Sequence, residues 1–146
     1  MLRGVILIIG DKEIDHRSLM EAAEKNGMTI EFIERIRKRV SDVAERLYEL
    51  TCQDYDAIFT IGGTGIEDDD VTPEATERVI DKRIPGLEYF IFLETVKSAL
   101  TGMFARIVAG VRRKTFVVNL PGYGYEEVFP KLVEAMKQLR EGVEPS

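Results

Sequence analysis

Disulfide stapling is closed to this chain, because Cys52 is its only cysteine. The same count excludes a multi-cysteine zinc or iron–sulfur site within one chain. Stability must come from burial, and 146 residues allow one domain, residues 1–146, to bury about two-thirds of the surface its unfolded chain exposes. An excess of basic charge is missing too. The net charge is −6 at pH 7, which repels nucleic acid and anionic membrane leaflets alike, so neither is an expected partner. Long hydrophobic runs are absent: the first apolar stretch ends at Ile9, too short to span a bilayer and followed by no signal-peptide cleavage region. A cytoplasmic location is expected. The chain has no repeat, linker or low-complexity segment, and its 45% hydrophobic and 32% charged residues are those of a folded domain.

What is present alternates. Val5-Ile6-Leu7-Ile8-Ile9 is a continuous β-branched and apolar run, the pattern of a strand covered on both faces. Helical spacing comes next over residues 18–25, closed by Gly27, and a second strand is expected near residues 29–33. Ser41 is expected to cap a helix that turns Val43, Ala44, Leu47 and Leu50 to one side. Ala57-Ile58-Phe59-Thr60-Ile61 reads as a buried strand running into a glycine loop, and Thr72-Pro73-Glu74 as the cap and first turn of the next helix. Past Pro85-Gly86 an apolar helical stretch is expected over residues 88–108, then a strand over 115–120 and a closing helix over 126–140. Strands alternating with helices imply an α/β fold: three layers, a mostly parallel sheet with helices on both faces.

In such sheets ligands bind beyond the carboxyl ends of the strands. Three places qualify: Gly10-Asp11, Gly62-Gly63-Thr64-Gly65 and Pro121-Gly122-Tyr123-Gly124. Three glycines within four residues let backbone N–H groups converge without Cβ obstruction and form an anion-binding concavity, to which Thr64 adds a hydroxyl. A tight strand-to-helix turn with no ligand would use the same residues. Glu67-Asp68-Asp69-Asp70 comes immediately after. Acids beside a phosphate need a cation, and Mg2+ takes one or two carboxylates while bridging to substrate phosphates. Glu67 and Asp68 are read more simply as complements to the dipole of the helix that starts at Thr72.

Several segments together resemble one family. They are Thr60-Ile61-Gly62-Gly63-Thr64-Gly65, Asp70-Val71-Thr72-Pro73-Glu74-Ala75-Thr76, Ile84-Pro85-Gly86, residues 105–112 and Asn119-Leu120-Pro121-Gly122, in order and at about the family's spacing over residues 55–135. The chain is thereby identified as similar to the molybdopterin-binding domain of the MoaB/MogA family of molybdenum-cofactor biosynthesis. The resemblance implies molybdopterin as ligand or substrate and, in catalytic members, Mg2+-dependent transfer of adenylate from ATP to the molybdopterin phosphate. It implies a homo-trimer as the minimal assembly. It assigns phosphate binding to Gly62, Gly63, Thr64 and Gly65, further ligand contacts to Arg106, Pro121 and Gly122, and catalysis to Asp70, with Asp70 and Asp69 as Mg2+ ligands.

Departures bear on transfer more than on binding. The family's serine–arginine pair reads Ala105-Arg106, its Leu-Pro-Gly-Ser-Pro reads Leu120-Pro121-Gly122-Tyr123-Gly124, and Tyr89 stands at a glutamate position unless a one-residue shift restores Glu88. After the first strand the family's longer loop is reduced to Gly10-Asp11-Lys12-Glu13-Ile14-Asp15, with Asp15 as the acidic counterpart. The acid expected after the second strand falls at Arg37-Lys38, so a carboxylate is replaced by base. Impaired adenylyl transfer is the expectation. A nucleotide pyrophosphatase of the competence-damage-inducible type and a non-catalytic oligomeric binding domain are the alternatives.

Elsewhere the bland readings prevail. His16 is a lone histidine on a charged helix, read as solvated surface. Cys52 is read as an idle thiol without a nearby cation, and the Arg35–Arg39 cluster as a solvated turn unless it faces the glycine loop. Phe90-Ile91-Phe92-Leu93 is too broad for one buried stripe, which suggests core or subunit-interface material.

Overall fold

A computed structural model of the chain describes residues 1–142. In order the elements are β1 (Leu2–Ile9), α1 (His16–Lys25), β2 (Met28–Ile36), α2 (Val40–Thr51), β3 (Ala57–Ile61) and α3 (Thr72–Glu77). After them come β4 (Lys82–Arg83), α4 (Pro85–Ser98), a 3-10 turn (Leu100–Phe104), β5 (Ala109–Arg112), β6 (Thr115–Leu120) and α5 (Tyr125–Arg140).

The apolar run of β1 is explained by its neighbours on both sides. Val5, Leu7 and Ile9 pack with Val43, Leu47 and Leu50 of α2 and Ala75 of α3, whereas Ile6 joins Leu19 of α1, Ile91 of α4 and Phe129 of α5 in a second cluster. Side chains alternate across a strand, so a sheet with helices on both faces needs apolar residues at every position. Phe59 of β3 meets Phe129 edge-on at 4.9 Å, seating α5 on the same face as α1. The result is a three-layer α/β sheet in the order β2-β1-β3-β6-β5-β4. β2, β1, β3 and β6 run parallel, and β5 and β4 close the edge antiparallel.

Four local expectations are corrected. Ser41 does not cap α2; it is the helix's second residue, and Arg39 stands at the cap position without a side-chain bond. Thr72 is the first residue of α3, preceded by Val71 at the cap, and its hydroxyl is used elsewhere. The second strand extends beyond residues 29–33, as β2 spans Met28–Ile36. The expected helix over residues 88–108 breaks after Ser98, where Ala99 turns extended. Gly102 then packs so closely on α4 that a Cβ would lie 2.9 Å from the Thr95 carbonyl, which a continuing helix could not permit. Residues 105–108 then run without helix into β5, which bonds to β6.

Candidate functional site

Chain direction places the site. From β1 the chain passes through α1 to β2 on one side, then returns through α2 on the opposite face to β3 on the other side of β1. Strand order therefore reverses between β1 and β3, and a crevice opens beyond their carboxyl ends. A cavity of about 470 Å3 lies there, lined by the loops after β1, β3 and β6 together with Lys38 and Phe104.

The loop after β3 is held in one particular way. Gly62 and Gly63 sit at φ +99° and +70°, and a Cβ at Gly62 would come within 2.8 Å of the Ile9 carbonyl oxygen, so β1 and β3 can end this close together only with glycine there. Every carbonyl from 62 to 65 accepts a bond from the protein: Gly62 from the Thr72 hydroxyl at 3.0 Å and Gly63 from the Thr72 amide at 3.1 Å. Thr64 accepts from the Arg106 amide at 2.8 Å and Gly65 from Arg106 Nε at 2.8 Å. The amides of Gly63, Thr64 and Gly65, by contrast, meet no acceptor among the described residues. Acceptors are tied back and donors are left free, which is the polarity an anion requires.

Buried polar side chains fix this arrangement from beneath. Asn119, fully buried on β6, donates to the Thr60 hydroxyl at 3.1 Å and the Thr76 hydroxyl at 2.9 Å, and accepts from the Val108 amide at 3.3 Å. Thr76 in turn donates to the Thr72 carbonyl at 2.9 Å, so the chain of bonds reaches the residue that pins the glycines.

Of the residues singled out in the sequence, Gly62, Gly63, Thr64, Gly65, Pro121, Gly122 and Asp70 line the cavity. Arg106 stands behind the loop: besides Gly65 it bonds the Asp70 carbonyl at 2.6 Å and pairs with Glu74, so its guanidinium clamps the loop from outside. Asp15 caps α1 by accepting from the Ser18 amide. Glu88 accepts from Arg83 and from the Ala109 amide, tying α4 to the edge strands, while Tyr89 is exposed. His16 is exposed on α1. Cys52 does have a cationic neighbour, since Arg112 Nη1 lies 3.7 Å from its sulfur. Of residues 90–93, Ile91 is core and Leu93 is exposed.

Two residues had no role assigned from sequence. Lys12 passes over Gly122 and lines the cavity, and Phe104 lines it from the 3-10 turn. Position after β1 was the available signal for Lys12; for Phe104 there was none, because its segment read as helix.

Asp70 does not present a free carboxylate. Its Oδ1 pairs with Lys38 Nζ at 2.9 Å and its Oδ2 accepts from the Glu67 amide at 3.0 Å, while Asp69 lies 3.5 Å from the same ammonium. Burial pushes the Asp70 carboxyl upward, but the Lys38 bond, the Glu67 amide and the charge of Arg106 outweigh it and hold the group below its ordinary value. No cluster of three or more His, Cys, Asp or Glu side chains suited to a metal occurs among the described residues. The donor set expected for Mg2+ on Asp69 and Asp70 is thus already engaged by an ammonium, and it does not fit the ion.

The depressed Asp70 carboxyl sets an acid limb. A carboxylate held low in the folded state contributes stability above the unfolded-state value, and loses it as pH falls through the folded value. Asp70→Asn should therefore be less stable than wild type near neutrality, by about 1–2 kcal/mol, with the gap closing below about pH 4. Urea denaturation as a function of pH checks this, and a gap unchanged at low pH would contradict it.

Fold and site together define a doubly wound α/β domain with a glycine loop at its switch point. The chain belongs to the family of probable molybdopterin binding domains, which matches residues 7–138. It is 37% identical over 95 residues to a molybdopterin adenylyltransferase of Helicobacter pylori, covering 64% of this chain and 54% of that protein. It is 30% identical over 117 residues to a probable molybdopterin adenylyltransferase of Methanocaldococcus jannaschii, covering 79% and 71% respectively. Among solved structures, the molybdopterin biosynthesis enzyme MoaB of Thermus thermophilus superposes with a TM-score of 0.81 at 29% identity, covering 97% of this chain and 98% of that one. The chain spans about half the length of its Helicobacter relatives. No helix among the described residues is long and apolar enough to cross a membrane.

Proposed function

We propose that the protein binds a pterin phosphate or nucleotide phosphate in the glycine-loop cavity and serves molybdenum-cofactor biosynthesis in the cytoplasm. One observation carries the reading: four successive carbonyls are bonded back into the protein while the amides of Gly63, Thr64 and Gly65 are left without acceptors at the cavity. Pro121 and Gly122 lie across from them and Lys12 supplies a positive charge. Molybdopterin and ATP are the ligands we propose, from the names of the matched relatives. Those names favour cofactor synthesis over the pyrophosphatase reading.

In adenylyl transfer an oxygen of the molybdopterin phosphate attacks the α-phosphorus of ATP, and pyrophosphate leaves with the electron pair of the broken bond. For this chain we propose slow transfer: Ala105 offers no hydroxyl at the cavity, and Lys38 stands where an acid was expected. A thermal-shift panel with molybdopterin, ATP, ADP-ribose and buffer tests the ligand reading, because a ligand that binds only the native state raises its stability by mass action. Stabilisation by molybdopterin or ATP is expected; none from either, or from ADP-ribose alone, would contradict it. Robust adenylate transfer by wild type would contradict the impairment.

A homo-trimer belongs to the same proposal. Tyr89 and Leu93 on α4 are 67% and 45% exposed, which leaves apolar surface for subunits to cover. Light scattering at micromolar concentration should find the trimer, and a monomer there would count against it.

A further inference from the structure

We propose that Lys38 is the resident cation of this site, taking the place of a divalent metal between the acidic loop and the phosphate of a bound ligand. This inference rests on the phosphate-binding reading above and adds that binding proceeds without Mg2+.

Backbone geometry delivers the lysine. Lys38 leaves the turn after β2 and its stem runs along the end of β1, where a Cβ at Gly10 would lie 3.0 Å from Lys38 Cδ and 3.2 Å from Cγ. Gly10 is at φ +97° and donates its amide to the Ile36 carbonyl, so the two strand ends are joined just where the stem passes. Arg35 bonds the Gly10 carbonyl and steadies the same corner. The side chain is thereby led into the cavity, with 31% of it exposed.

At its tip the ammonium meets Asp70 Oδ1 at 2.9 Å and Asp69 Oδ1 at 3.5 Å. A lysine ammonium has three donors; the two carboxylates engage two, and the third remains for a ligand oxygen at the cavity. Both Asp70 oxygens are engaged, because Glu67 donates to the other one. Its side chain is only 10% exposed, so a dication would have to expel the ammonium to reach it. The bond that Lys38 donates to Asp70 also holds the Lys38 pKa above its ordinary value against the opposing effect of burial, and the group stays charged at neutral pH. A phosphate docked on the amides of Gly63–Gly65 would thus find Lys38 on one side and Lys12 on another. An ammonium is a compact point charge that needs no coordination shell, whereas Mg2+ demands near-octahedral oxygen ligands.

Calorimetric titration of ATP into wild-type protein, once in EDTA and once in Mg2+, tests the inference. The expected result is the same affinity in both. Lys38→Gln should weaken binding in EDTA on the order of tenfold to a hundredfold, the worth of a charge-assisted hydrogen bond, while Lys38→Arg keeps it. Lys38→Asp should bind ATP only when Mg2+ is added. ATP binding by wild type only with Mg2+ would overturn the inference and leave the ligand reading standing, as would undiminished binding by a folded Lys38→Gln protein. Failure of ATP to bind under either condition would overturn the inference, and failure of molybdopterin to bind as well would overturn the ligand reading with it.

Discussion

Gly63→Val is expected to abolish binding of phosphate-bearing ligands and to destabilise the fold by about 3–5 kcal/mol. Position 63 has φ +70°, a conformation that costs an L-residue roughly 1–2 kcal/mol and a β-branched one more. Space is the larger obstacle. A Cβ there would lie 2.2 Å from Thr72 Oγ1 and 3.1 Å from Ile9 Cγ2. Thr72 is fully buried, so its hydroxyl can leave the Gly62 carbonyl only by giving up a bond with no water to replace it. From sequence alone the same substitution is expected to abolish ligand binding and leave the fold largely intact, since a β-branched side chain blocks the required φ and the approach of a phosphate. The structure revises that: the glycine serves ligand approach and the seating of α3 together. Calorimetry measures the loss of binding and chemical denaturation the loss of stability; a variant as stable as wild type, or one that still binds, would contradict the account. Gly122→Ala is the contrasting case. Its Cβ would meet Lys12 Cδ at 3.2 Å, a flexible side chain that can shift, so a far smaller change in stability is expected.

Asn119→Leu is expected to cost about 3 kcal/mol of stability and to weaken ligand binding at a distance. The side chain makes three bonds to buried partners: the Thr60 hydroxyl, the Thr76 hydroxyl and the Val108 amide. Leucine has similar size but no donor or acceptor, so it leaves the Val108 amide unmet in a dry interior, at about 1–3 kcal/mol per orphaned group. Thr76 would also lose the donor that orients its hydroxyl toward the Thr72 carbonyl. Because Thr72 holds the glycines, a loosened Thr76 reduces the preorganisation of the free amides. Thermal unfolding with and without ATP separates the two consequences. A loss below about 1 kcal/mol would show that the network carries little.

Much of the fold is legible in the sequence. The unbroken apolar runs of β1 and β3 announce a sheet covered on both faces, since a one-faced strand would alternate. Gly62-Gly63-Thr64-Gly65 is readable because positive φ has a residue signature. Less readable are features that depend on where distant segments meet. Ser41 and Thr72 both look like caps, but one lies inside α2 and the other turns its hydroxyl to a carbonyl ten positions earlier. Arg106 carries a charge suited to phosphate, yet the Gly65 and Asp70 carbonyls and Glu74 claim its guanidinium from the far side. β4 and β5 are two and four residues long, too short to show a period, and the break before β5 depends on Gly102 touching α4. Lys38 is visible only as a base in place of an acid; that its ammonium reaches Asp70 depends on the way past Gly10.

The central claim is that a ligand phosphate docks on the amides of Gly63, Thr64 and Gly65. Amide 1H–15N chemical shifts recorded during an ATP titration test it directly, because an amide that gains an anionic acceptor moves strongly downfield. The largest shifts are expected at Gly63, Thr64 and Gly65, with smaller ones at Gly122 and Tyr123 across the cavity. A second cavity lies at the opposite ends of the strands, lined by Arg3, Asp54 and Arg113 among others. Shifts centred there, with the glycine-loop amides unmoved at saturation, would contradict the account.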